Sequence, residues 1–193
     1  MITLESITSC WGKKFTEIDF LTTKVTKDTK PFPYFTYSPF GEDRKPIWPE
    51  TYLTDLPEAI HLGRDIQLPA GTLIYAPVGA SHGIVMDIWD DTDLNVGWGR
   101  RIDILDPSNN RYWIIGHLDR AMESDVKIGQ EVSDLTVIGQ VGSLLFNGYT
   151  FPHIHLQTCD FKHIVKTDPR KIDGYGTKAD LEIFDDPFKF LRP

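Results

Sequence analysis

The chain is expected to fold as an all-β domain, and three observations carry that expectation. No window of its 193 residues sustains a 3.6-residue apolar period, so the pattern calls for no amphipathic helix. From about residue 60 to 160 it runs in short stretches rich in β-branched and aromatic residues, punctuated by Gly, Asp and Asn. The first 55 residues carry so many prolines that long helices are excluded, because each Pro removes a backbone donor and restricts the residue before it.

In chain order, the segment 1–55, with "KPFPYFTYSPFGEDRKPIWPE" at its end, reads as short strands and turns forming an extension that packs on the core beside the site. The core domain is placed at 56–160. Its strands are expected at "TLIYAPV", "GIVMDIW", "RRIDILD" and "RYWIIGHL", the last two joined by the hairpin turn "DPSNN", since Asp and Asn tolerate turn geometry. "VKIGQEVSDLTVIGQVG" then repeats an Ile-Gly-Gln figure, read as two β-turns needing Gly at equivalent bends. Residues 161–193 form a tail that can hold one short helical turn, docked by Phe184, Phe188, Phe190 and Leu191.

Composition narrows the function. The 28 acidic and 20 basic side chains leave a formal charge of -8, which argues against nucleic acid or an anionic membrane as partner. Cys10 and Cys159 read as two reduced, buried thiols rather than a disulfide framework. No apolar run could span a bilayer and no leader of signal-peptide type is visible, so the chain as written reads as cytoplasmic; a trimmed piece of an exported protein would read as extracytoplasmic. Nothing in the pattern addresses oligomeric state.

The chemistry concentrates in three places. "FPHIHLQ" puts His153 and His155 on one face of a strand, about 6.6 Å apart along it, where two imidazoles can reach one point. "HLGRD" places His61 and Asp65 four residues apart; on a straight strand they would sit about 13 Å from each other, so convergence requires a bend, for which Gly63 is suited. His117 closes the apolar run "YWIIGHL" and points to a pocket. Catalytic zinc takes three His or Asp/Glu ligands and an open position. Two histidines and one aspartate would leave a formal charge of +1 to acidify a bound water. A further pair of histidines could then move its proton and stabilise an oxyanion.

The order His-x-x-x-Asp, Pro-x-Gly-x-x-x-x-Ala-Pro, Gly-x-Val, a strand ending His-Leu, Gly-Gln and His-x-His resembles the lysostaphin-like zinc metallopeptidases over about residues 60–158. That resemblance implies an antiparallel β-sheet or β-roll with a groove, one Zn2+ per chain, and a peptide or muropeptide substrate of the peptidoglycan type. It makes His61, Asp65 and His155 the metal ligands and His117 and His153 the two catalytic histidines outside the ligand set. This chain departs from the family in "GSLLFNGYTFPHIHLQ", where Phe146, Tyr149 and Phe151 replace a Gly-, Ser- and Thr-rich approach and would reshape the groove floor. It departs again at Gln157, where an acidic residue is usual, and in the missing export signal.

Two other readings compete. A non-catalytic scaffold or metal-binding relative would keep the fold without the reaction. A non-haem iron oxygenase would use His117, Asp119 and His155 but leave His61 and Asp65 unexplained. His82 and His163 read as exposed surface residues.

Overall fold

The computed structural model describes residues 16–17, 36–46, 51–78, 82–91, 97–120, 126–144, 152–165 and 167–191, giving the backbone alone at 16–17 and 36–37. Its strands are β1 (Thr16–Glu17), β2 (Thr36–Ser38), β3 (Ile60–His61), β4 (Gly63–Gln67), β5 (Leu73–Tyr75), β6 (Gly83–Asp90), β7 (Arg100–Asp106), β8 (Arg111–Leu118), β9 (Glu131–Val132), β10 (Val137–Gln140), β11 (His153–Asp160), β12 (Tyr175–Gly176) and β13 (Phe184–Asp185). The helical pieces among the described residues are 3-10 turns of three to five residues. None is long and apolar enough to cross a membrane. The protein is all-β, as its pattern requires.

One large sheet runs β1-β2-β4-β11-β8-β7-β6-β9, antiparallel except for the β1–β2 pair, with β13 joining β11 from the side. The β7–β8 hairpin turns through 107–110, and Asn110 takes a left-handed conformation there, with φ +52°. β5 and β10 pair in a second, small sheet.

The central strands are buried on both faces, which is why "RYWIIGHL" is a continuous apolar run rather than an alternating one. Trp113 and Ile115 face a core with Ile66, Ile74, Val85, Ile102, Ile104, Ile138, Ile154 and Leu156. Tyr112 and Ile114 face the other way, onto Leu62, Cys159, Ile164, Ile172 and Phe184, so the tail supplies the second cover. Leu191 is buried in the first core and Phe188 packs against it, while Phe190 lies under the Arg111 guanidinium at 4.0 Å. Cys159 is free and buried, its thiol pushed up to about 12 by burial; Cys10 lies outside the described residues.

The two Ile-Gly-Gln glycines turn out to do different jobs. Gly129 has φ +83° in an open turn, whereas Gly139 sits within β10, where an added Cβ would meet Leu118 at 3.1 Å. A similar tripeptide thus serves a conformational need once and a packing need once.

Candidate metal centre

β11 carries His153 and His155 and is paired with β4 on one side and β8 on the other. The β4 ladder sets Asp65 directly beside His155 and stops at Gly63, opposite Gln157. Beyond it the chain leaves the sheet, and Ile60–His61 pairs with β12 instead. That departure brings His61 back over Asp65, overcoming the spacing a straight strand would impose. Gly63 permits it because a Cβ there would lie 2.5 Å from both His155 Nε2 and the Leu156 carbonyl oxygen.

Three donor atoms converge as a result. His61 Nε2 lies 3.2 Å from Asp65 Oδ1 and 3.1 Å from His155 Nδ1, and His155 Nδ1 lies 3.0 Å from Asp65 Oδ1. Bonds near 2 Å in a tetrahedral site put donors roughly 3.3 Å apart, so this triangle fits a small cation such as zinc. Among the described residues, these three form the group whose ligand atoms all lie within 4.8 Å of one another.

The outward nitrogens are held as well. His155 Nε2 meets Gln157 Oε1 at 3.0 Å, and the Gln157 amide donates onward to the Asp173 carbonyl at 3.4 Å. A proton on His155 Nε2 leaves the lone pair of Nδ1 facing inward. His61 Nδ1 lies 3.0 Å from the Pro39 carbonyl oxygen, so the tautomer donating there presents a bare Nε2 to the centre.

His61 is fully buried, and burial first, then the Arg44 charge, lowers its pKa to about 4. Burial alone would raise the Asp65 carboxyl, but the facing His61 and Arg44, with the close contacts of both imidazoles, hold it well below the usual carboxylate range. At pH 7 the pair is therefore neutral imidazole and ionised carboxylate, the forms a metal requires.

His117 and His153 stand beside this triangle. Their ring centroids are 4.4 Å apart, and His153 Nε2 lies 3.9 Å from Asp65 Oδ1. The β7–β8 register explains how His117 gets there: Ile102 pairs with Ile115 and Arg100 with Leu118, so Gly116 and His117 together oppose Arg101 alone. In this bulge His117 has φ +63°, a conformation uncommon for any residue but Gly and one that re-aims the side chain. Burial, followed by the neighbouring His153 and His155, keeps its pKa well below the ordinary value. Its Nδ1 has no hydrogen-bond partner among the described residues.

Asp119 stands apart from the triangle, its Oδ2 accepting from Gln140 Nε2 at 3.2 Å, so the His117–Asp119–His155 set gains no geometric support. His82 is exposed and His163 partly so. Phe146, Tyr149 and Phe151, expected to shape the groove floor, lie outside the described residues.

Two contributors escape sequence reasoning. Trp98 stacks on His117 at 6.2 Å and meets His155 edge-on at 5.0 Å, filling the space above Gly116. Its signal was the "GWG" context, a bulky ring between two glycines. Arg44 contacts both Asp65 and His61, and nothing in "GEDRKP" announces it.

The fold of this mostly antiparallel sheet is that of lysostaphin. The solution structure of lysostaphin aligns with 88% of this chain and 54% of its own, at 19% identity and a TM-score of 0.50. The match thus spans about half of that lysostaphin. The catalytic domain of the antimicrobial peptidase lysostaphin from Staphylococcus simulans gives 24% identity over 68% of this chain and 79% of its own, with a TM-score of 0.47. The catalytic domain of the prophage-encoded M23 protein EnpA from Enterococcus faecalis gives 25% over 68% and 85%, at 0.45. No family model and no curated protein matches the chain.

Proposed function

We propose that the chain is a zinc-dependent metalloendopeptidase that hydrolyses peptide bonds, with peptidoglycan-type or glycine-containing peptides as its substrate class. The observation that carries this reading is the convergence of His61 Nε2, Asp65 Oδ1 and His155 Nδ1 on one point, beside two further histidines. The motif order and the lysostaphin fold support the same reaction class.

In this reading His61, Asp65 and His155 hold zinc, which when bound would supply a Lewis acid and lower the pKa of a water. Asp65 and the two imidazoles are the ligands; Gln157 and the Pro39 carbonyl set which nitrogen each imidazole presents. His117 and His153 do the proton work. Because burial holds His117 neutral, its ring has a lone pair for a proton near neutral pH, and its buried Nδ1 has no partner among the described residues to compete for that proton. The companion ring, 4.4 Å away, is placed to donate an N–H to the oxyanion developing at the attacked carbonyl.

Elemental analysis of the purified protein and its variants tests the assignment. One zinc per chain is expected in the wild type, and loss of it in His155→Ala. His117→Ala and His153→Ala should keep the metal yet lose peptide hydrolysis by roughly 10²–10⁴-fold. Metal loss in His153→Ala with retention in His155→Ala would overturn this division of labour. Zinc binding without hydrolysis of any peptide would favour a metal-binding scaffold instead.

A further inference from the structure

Residues 38–44 surround the outer side of the triangle. Ser38 is paired with Asp65 in the β2–β4 ladder, and its Oγ donates to Asp65 Oδ2 at 3.2 Å. The Pro39 carbonyl faces His61 Nδ1. Gly41 N–H donates to the His61 carbonyl at 2.8 Å, and His61 N–H donates to the Glu42 carbonyl at 2.9 Å. Arg44 closes the group from a site where only 3% of its side chain is exposed. Its Nη2 donates to Asp65 Oδ2 at 2.8 Å and to Ser38 Oγ, and lies 3.1 Å from His61 Nδ1; its Nε is 2.8 Å from Glu42 Oε2.

This arrangement splits the Asp65 carboxylate between two tasks. Oδ1 faces the two imidazoles, while Oδ2 takes two donors from the 38–44 segment. The guanidinium meets Asp65 and Ser38 through Nη2 while its Nε stays beside Glu42, a spread of contacts that its planar, multi-donor shape allows. Glu42 lies 2.8 Å from Arg44 Nε and offsets part of its charge, and the segment reaches the centre through the two donors on Asp65 Oδ2.

We infer that residues 38–44 are the outer layer of the metal centre and that Arg44 is a positioning residue, holding Asp65 to present one oxygen. The inference rests on the zinc reading above. It makes the segment before the core part of the centre rather than a separable extension.

The test compares zinc affinity, by competition with a chromophoric chelator, in the wild type, Arg44→Lys and Ser38→Ala, alongside the visible spectrum of each protein loaded with Co(II). Thermal melts of the metal-free proteins report folding separately. Arg44→Lys keeps the charge beside Glu42 but loses the fork. It should fold, bind zinc roughly 10- to 100-fold more weakly, and shift the Co(II) bands as Asp65 changes its mode of binding. Ser38→Ala should weaken zinc less, in the same direction. Wild-type affinity and an unchanged Co(II) spectrum in Arg44→Lys would overturn the role of Arg44 and leave the zinc reading intact. A wild type that binds no metal would instead sink the zinc reading itself. Should Arg44→Lys fail to fold, Ser38→Ala decides, and unchanged affinity there counts against the inference.

Discussion

The fold constrains the ionisation of His61. Its pKa falls from an ordinary value near 6.5 to about 4, because burial and Arg44 both oppose a second positive charge. The unfolded chain therefore takes up a proton that the folded one refuses. The associated stability is fully present above about pH 6.5 and is lost as pH falls through about 4. Burial of His117 acts in the same direction. Urea titrations of the metal-free protein should show a loss of about 3 kcal/mol from His61 between pH 7 and pH 4. Asp65, held below the usual carboxylate range, adds a further loss under more acidic conditions. A midpoint that stays flat from pH 7 to pH 4.5 would show that neither imidazole is buried as described.

The decisive element is the break between β3 and β4. Gly63 lets the chain leave the ladder against the His155 ring. Gly63→Ala should cost more than 2 kcal/mol, in the range of overpacked cores, and weaken metal binding at the same time, read by chelator competition. A variant of wild-type stability and affinity would contradict the geometry. The need for a bend was visible in "HLGRD", because His61 and Asp65 are too far apart on a straight strand. The His117 bulge was not visible. It depends on pairing between Arg100–Ile102 and Ile115–Leu118, and no local signal in "IIGHLD" specifies that register.

A second element ties the site to the tail. Arg101 makes a two-pronged pair with Asp103, at 2.7 and 2.8 Å, and donates to the carbonyls of Ile172 and Pro169. Tyr112 Oη donates to the same carboxylate at 2.8 Å. The turn so anchored leads into Asp173 and Gly174, which back Gln157 and His155. Removing one partner strands a buried charge, so Arg101→Met should cost about 3–5 kcal/mol in denaturant unfolding. A loss below 1 kcal/mol would mean that this network does not anchor the turn.

At the scale of the whole molecule, the centre joins segments remote in sequence: 38–44, 61–65 and 153–157, with His61 and His155 94 residues apart. A metal bound only by the folded form therefore stabilises all of them together. At a free zinc concentration a thousandfold above its dissociation constant, the gain is about 4 kcal/mol, on the order of ten degrees in Tm for a chain of this size. Chelation should remove it, and a Tm indifferent to chelator and zinc would contradict a structural stake in the metal. The strands and the five chemically constrained residues could be read from sequence because periodicity and residue type are local properties. Arg44 could not, because it matters through partners the fold supplies, as in its 21-residue separation from Asp65, and the "GWG" context of Trp98 names no partner. The second cover was legible in the tail at Phe184 alone, while its Ile164 and Ile172 and the clamp of Arg64 on Asp186, at 2.7 Å through both nitrogens, were not.

The central claim is that this centre breaks peptide bonds with His117 and His153 acting beside zinc. The most direct measurement incubates the zinc-loaded protein with defined muropeptides and glycine-rich peptides and reads the products by mass. The expected result is cleavage at a peptide bond with uptake of one water, absent in a His153→Ala protein that still carries zinc. No product from any of these peptides, or equal cleavage by His153→Ala, would contradict the account.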